Sequence, residues 1–194
     1  MAGVADSPTL RALLFGPPGS GKGTQAALLA ERLGVPAIST GEMLRAAVVA
    51  DSALGKKVGG ILAAGALVDD ETMAAVVDER LHREDAKRGF LLDGYPRTLG
   101  QAAMLATILQ RQGESLDAAI LLEVPEEELV RRLTGRQRAD DREDIVRQRL
   151  RVYQDKTTPL VGHYERLGLL RRVDGNREVA EVAESILAAL RSAV

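Results

Sequence analysis

The sequence contains no cysteine. That absence excludes disulfides, cysteine-based zinc sites and thiol nucleophiles. It also lacks any run of about eighteen consecutive apolar residues, so no segment reads as a membrane-spanning helix. Residues 1–9 have neither the basic start nor the apolar core of a secretory leader and read as a short disordered tail, so the expected location is the cytoplasm. No charge of one sign dominates. A net charge of −2 and a pI near 5.8 give no general attraction to nucleic acid or to an anionic membrane, and neither is an expected partner. Any basic site must therefore be local. There is no internal repeat and no low-complexity segment. What remains is a chain of 194 residues, 45% hydrophobic and 28% charged, which suits one soluble domain with a sizeable core.

The organising stretch is Leu10 to Thr24, in which a short apolar run closed by Phe15 meets four glycines (16, 19, 21 and 23) within eight positions. A helical pattern begins immediately afterwards. Strand, glycine loop and helix in that order form a phosphate cradle: glycines let successive amide N–H groups turn toward an anion, and the helix adds its positive end. Lys22 offers a point charge to the outer phosphates, and Thr24 a hydroxyl near any accompanying metal ion. The strict P-loop pattern has Ser or Thr directly after the lysine, whereas here Gly23 intervenes. The expected ligand is a nucleotide polyphosphate.

Further along, the spacing predicts helices over 22–33, from 39, over 55–64 and over 69–82, with a brief strand over 35–38. Ser39 reads as an N-cap. A buried strand follows from Gly89 to Asp93, then a helix over 98–111, a strand over 118–124 and a helix over 126–134 opened by Pro125 and three glutamates. The remainder reads as a polar loop over 135–141, a helix over 142–156, a further helical piece after Pro159, a strand over 169–173 and a last helix over 179–193. Apolar strands alternating with helices imply an α/β fold with a parallel sheet covered on both faces and ligands beyond the carboxyl ends of the strands. Gly16, Asp93, Pro125 and Asp174 fall at those ends.

Asp93 closes a strand where a carboxylate can hold a magnesium ion near bound phosphates, although Asp-Gly alone reads equally as a turn. Arg97, four residues later, favours the phosphate reading. Eight arginines lie between Arg131 and Arg151, and most of such a run is a solvated face. At about 100° per residue, however, Arg149 falls inside an apolar arc of Ile145, Val146, Leu150, Val152 and Tyr153, while Arg147 and Arg151 point away. A guanidinium on that face needs an anion: Asp140, Asp141 or a substrate phosphate. Arg136 and Arg138 could face the same cleft. An acceptor that already bears a dianionic phosphate needs no general base at pH 7, so His82 and His163 read as surface or packing residues. The task left is to hold two polyanions in line, spread the developing charge and keep water out, which a mobile arginine-bearing loop over 135–141 would serve.

With these residues assembled, the chain resembles the adenylate kinase family, in its short bacterial form with a truncated lid. The matching stretches are 16–25 (GPPGSGKGTQ), 39–45 (STGEMLR), 65–68 (GALV), 89–97 (GFLLDGYPR) with Gln101, 135–141 (GRQRADD), and Arg149. The resemblance implies a P-loop NTPase three-layer fold with a five-stranded parallel sheet and helices on both faces, as a single domain with a nucleotide-monophosphate-binding insertion over 39–68 and a lid over 135–141. It implies reversible phosphoryl transfer from Mg·ATP to AMP in a monomer, with Mg²⁺ arriving on the ATP and no zinc. It places Gly19, Ser20, Gly21, Lys22, Gly23, Thr24, Arg132, Arg136 and Gly175 on ATP. Thr40, Arg45, Ala66, Leu67, Val68, Gly94, Tyr95, Pro96, Arg97, Gln101, Arg138 and Arg149 fall on AMP. Lys22, Asp93, Arg97, Arg136, Arg138 and Arg149 are the expected catalytic set. Two rivals remain: a UMP or CMP kinase of the same fold, and a nucleotide-controlled switch. The switch is weakened because Asn176, the sole asparagine, is followed by Arg177, so there is no Asn-Lys-x-Asp guanine signal.

Overall fold

The structure is a computed structural model, and it describes residues 10–135 and 142–191. Five strands are found among them: β1 (Leu10–Phe15), β2 (Ala37–Ser39), β3 (Gly89–Asp93), β4 (Ala118–Glu123) and β5 (Leu170–Asp174). All pair in parallel, in the order β2-β3-β1-β4-β5. In the central register Leu13 lies beside Leu92 and Leu14 beside Asp93, so the carboxyl ends of β1 and β3 finish together.

Alternation along β1 builds a core on each face of the sheet. Ala12 and Leu14 join Leu29 of α1 (Lys22–Leu33) and Val182 and Ile186 of α9 (Val179–Arg191). Leu13 and Phe15 join Leu105 of α5 (Leu99–Arg111) and Tyr164 of α8 (Pro159–Arg166). Strands buried on both faces are apolar almost throughout, as expected. Arg11 is the exception, a buried strand residue whose guanidinium is paired with Glu114 at 2.7 Å.

The helices α2 (Thr40–Val49), α3 (Ala53–Ala63) and α4 (Asp70–Leu81) form the excursion between β2 and β3. Their buried Leu44, Val58, Met73 and Val77 belong to the Leu13 core. Asp69 and Thr98 cap α4 and α5 by accepting from the backbone N–H of Thr72 and Gln101. Ser39 departs from its expected role: it sits at the N-cap of α2 without a capping hydrogen bond, because its hydroxyl is used elsewhere.

Several boundaries differ by one or two residues from the sequence-based expectation, and two of the differences have a clear physical reason. The second strand begins at Ala37 rather than 35, since Pro36 has no N–H to give the ladder and contributes only its carbonyl, to Leu91 N–H at 2.9 Å. The single helix expected over 142–156 is instead α7 (Glu143–Val152) followed by a π-turn over Tyr153–Thr157. There Thr158 N–H reaches back to Tyr153 O at 3.0 Å, and Pro159 next door cannot donate to the carbonyl of Asp155. The short helix α6 (Glu126–Thr134) lies between β4 and the undescribed 136–141.

Candidate active site

The carboxyl ends of β1 and β3, the start of α1 and the helices beside them enclose a cleft of about 710 Å³. Its floor is the glycine loop. Gly19 adopts φ +86°, and a Cβ there would come within 2.9 Å of Leu133 Cγ, so both the backbone conformation and the space require glycine. Ser20 N–H closes the turn onto Pro17 O at 3.1 Å. Lys22 Nζ lies across the loop, donating to the carbonyls of Gly16 and Pro17 at 2.9 Å each and to Ser20 Oγ at 3.3 Å.

Asp93 comes to this floor from β3. A Cβ built at Gly23 would lie 3.9 Å from Asp93 Oδ2, which sets the carboxylate beside the first turn of α1. The same oxygen accepts from Ser39 Oγ at 3.2 Å, and the Asp93 backbone carbonyl accepts from Thr40 Oγ1 at 3.3 Å. Among the described residues no three His, Cys, Asp or Glu side chains gather. One carboxylate and the Thr24 hydroxyl beside a phosphate loop are the oxygen donors that could hold a hard divalent cation here.

One wall belongs to α6 and the β5–α9 turn. Glu128 accepts from Arg131 Nε and Nη2 at 2.7 and 2.6 Å and from Arg132 Nε at 2.6 Å. These hydrogen bonds, from Arg131 first and then Arg132, hold its carboxyl down at about 2. Arg132 extends across to Gly175 O at 3.1 Å and Asn176 Oδ1 at 3.2 Å, tying α6 to that turn. The opposite wall carries Arg45, Leu67, Gly94, Pro96, Arg97 and Arg149. Arg149 is half-buried on the face of α7 that meets the cleft, whereas Arg147 and Arg151 are exposed, as the helical arc predicts. Tyr153 also lines the cleft, and burial, with the charge of Glu123 adding to it, pushes its hydroxyl up to about 12. It stays a protonated donor at neutral pH.

Gly19, Ser20, Gly21, Lys22, Gly23, Thr24, Arg132 and Gly175, all expected on the donor nucleotide, line this one cleft with Asp93. Of the residues expected on the acceptor, five stand away from the cleft surface. Thr40, Val68, Tyr95 and Gln101 are buried behind it, and Ala66 is exposed at the turn after α3. Arg136 and Arg138, with most of the 135–141 loop, lie outside the described residues. Sequence reasoning gave Ser39 and Glu128 local helix-end roles only and passed over Thr157, although all three line the cleft. For Glu128 the signal was available, since arginines three and four residues later on a helix meet it.

A parallel sheet in this order, with a glycine loop joining its central strand to α1 and arginines on both walls above it, defines a nucleotide-binding protein of the P-loop NTPase class. Within that class the comparisons are specific. The family model described as adenylate kinase matches residues 14–169, and the chain belongs to that family. It is 48% identical over 185 residues to an adenylate kinase of Xylella fastidiosa (strain 9a5c), covering 93% of this chain and 99% of the relative. It is 48% identical over 186 residues to one of Stenotrophomonas maltophilia (strain R551-3), with 94% and 100% covered. An adenylate kinase of Kocuria rhizophila is 50% identical over 184 residues, with 93% and 98% covered.

Proposed function

We propose that this protein catalyses the reversible reaction Mg·ATP + AMP ⇌ Mg·ADP + ADP, with two nucleotides held end to end in the one cleft. The observation that carries this reading is the pairing of a phosphate loop with a second set of guanidinium groups, Arg45, Arg97 and Arg149, on the facing wall. A phosphate loop alone needs one polyphosphate. A second cationic wall calls for a second anion, and about 710 Å³ lies toward the upper end of ordinary ligand sites.

In this reading Gly19 to Thr24 cradle the ATP phosphates, and Lys22 exchanges its neutral carbonyl partners for charged phosphate oxygens, which bind an ammonium more strongly. Arg132 and Gly175 bracket the adenosine side of ATP. Thr24 and Asp93 are the residues that would hold a magnesium ion bound with the ATP, which would supply positive charge against the phosphates. Arg45 and Arg97 take the AMP phosphate and Arg149 bridges it to the transferring group. Thr40, Leu67, Gln101 and the neighbouring residues Ala66, Val68, Gly94, Tyr95 and Pro96 shape the acceptor side. Arg136 and Arg138 complete the ring from the 135–141 lid, and 39–68 serves as the acceptor-binding insertion.

The chemistry needs positioning more than proton transfer. An oxygen of the AMP phosphate forms the new bond to the γ-phosphorus as the bond to the β-phosphate oxygen breaks, and the leaving oxygen departs on ADP as part of an anion. The attacking dianion carries no proton to remove. Catalysis then comes from alignment and from fixed positive charge on the equatorial oxygens. We place the enzyme in the cytoplasm as a monomer. Among the described residues no helix is long and apolar enough to cross a membrane.

Comparing initial rates of transfer from Mg·ATP to AMP, CMP, UMP and GMP tests the assignment. AMP is expected to be the best acceptor. A better CMP or UMP would make the protein a pyrimidine nucleotide kinase of the same fold, and tight ATP binding without transfer to any monophosphate would make it a switch.

A further inference from the structure

Arg97 is held at three of its atoms by three separate groups. Its backbone N–H donates to Gln101 Oε1 at 2.7 Å, its Nε donates to Gly94 O at 2.7 Å, and its backbone C=O accepts from Thr157 Oγ1 at 2.9 Å. The first two holders are neighbours in sequence. The third comes from 60 residues away, out of the π-turn that joins α7 to α8.

The N–H side of this clamp is well determined. Gln101 meets a backbone donor with its oxygen, and its Nε2 donates to Asp70 Oδ1 at 2.9 Å. Flipping the amide would set two donors against each other at Arg97 and two acceptors against each other at Asp70, so only one orientation fits. Asp70 is itself fixed by Thr98 Oγ1, which donates to its other oxygen at 2.9 Å. The C=O side depends on Thr157, which is 5% exposed.

We propose that Thr157 is a positioning residue for Arg97, aiming the guanidinium at the acceptor phosphate by fixing the peptide that follows it. The peptide planes before and after a Cα together set the direction of its Cβ, because each plane is rigid. With the N–H held by Gln101 and the C=O held by Thr157, the Arg97 side chain leaves the backbone in one direction. The Nε contact to Gly94 O then fixes its path toward the cleft. Removing the Thr157 hydroxyl frees the second plane, so that the guanidinium is still present but no longer held to one direction. The π-turn matters because Thr157 lies at its end, where the wider turn directs the residue differently from a continued α-helix.

This inference rests on the reading that Arg97 binds the acceptor phosphate, and the experiment separates the two. Steady-state KM for acceptor and donor, kcat and the thermal midpoint are measured for Thr157→Val, Thr157→Ala, Thr157→Ser and Arg97→Lys. Loss of one hydrogen bond to a backbone carbonyl corresponds to roughly a five- to tenfold rise in acceptor KM, expected for Thr157→Val and Thr157→Ala with donor KM within about twofold. Thr157→Ser, which keeps the hydroxyl, is expected to restore acceptor KM to within about twofold. A general packing role would instead lower the thermal midpoint and move both KM values together. The proposal is overturned if Val and Ala leave acceptor KM unchanged while Arg97→Lys raises it, or if Ser behaves like Val. If Arg97→Lys itself leaves acceptor KM unchanged, it is the assignment of Arg97 that fails. The Ala variant decides the matter should Val not fold.

Discussion

Gly65 is the surface on which the stem of Arg149 rests. The glycine adopts φ +67° at the turn after α3, and a Cβ there would lie 3.0 Å from Arg149 Cγ and 3.1 Å from Ile145 Cγ2. The excursion between β2 and β3 thereby touches α7, the helix that carries Arg149. Gly65→Ala should cost roughly 1–2 kcal/mol of stability from the left-handed backbone alone. It should also displace the Arg149 stem and lower turnover by about tenfold or more, the scale expected when a reacting group is moved slightly. Thermal unfolding and kcat measured together check this. Reduced stability with unchanged turnover would show that Arg149 does not depend on that support.

Arg149 itself is predicted to be irreplaceable by lysine. It is half-buried where α7 meets the cleft, and a lysine there keeps the charge but loses the planar fork that binds two phosphate oxygens at once. Turnover of Arg149→Lys should fall by roughly 10³-fold, within the range seen for arginine groups in phosphoryl transfer. Arg147→Lys is the internal control: Arg147 is exposed and paired with Glu143 at 2.7 Å, so its replacement should leave kcat within about twofold. Equal effects in the two variants would remove the distinction between the faces of α7.

The difference between those two arginines was legible in the sequence because helical periodicity depends only on spacing. So was the sheet, whose apolar strands leave little choice of architecture, and so was the phosphate loop, whose function lies in its backbone. What could not be read was which polar side chains meet across the fold. Ser39 carries a sound N-cap signature, yet its hydroxyl goes to Asp93, 54 residues away, because the ends of β2 and β3 lie side by side. Thr157 has no motif at all and lines the cleft from the end of the π-turn, which arises where Pro159 interrupts the helical ladder. The resemblance names Gln101 as an acceptor-side residue, but its partnership with Asp70 comes from the packing of α4 against α5. Local rules give elements and charges, whereas long-range hydrogen bonds come from tertiary contact.

Glu128 should remain ionised far below the range of an ordinary glutamate. Arg131 and Arg132 depress its pKa to about 2, and a depressed carboxyl contributes stability that is complete above its unfolded value and lost as pH falls through the folded one. Nothing should change between pH 5 and 8 on this account. Carbon-13 NMR of the glutamate carboxyls should show this group titrating last in acid. In Glu128→Gln, Arg132 loses its anchoring carboxylate, and KM for the donor nucleotide should rise several-fold with KM for the acceptor little changed. A Glu128 that titrates near 4.5 would contradict the pairing.

The pH dependence of turnover should follow the substrate and not a histidine. His82 lies at the end of α4 with its Nδ1 2.8 Å from Asp78 O, and His163 meets Tyr164 edge-on with ring centroids 4.9 Å apart. Neither lines the cleft. If the acceptor attacks as a phosphate dianion, activity must fall on the acid side as that phosphate takes up its second proton, near pH 6. The acid limb should then sit at the same pH in wild type, His82→Gln and His163→Gln, with kcat within about twofold throughout. It should move only when the acceptor is replaced by an analogue whose phosphate has a different second pKa. An acid limb that disappears in either histidine variant would mean that a side chain, and not the bound phosphate, carries the proton that matters. Two-anion alignment without a base would then be the wrong account of this site.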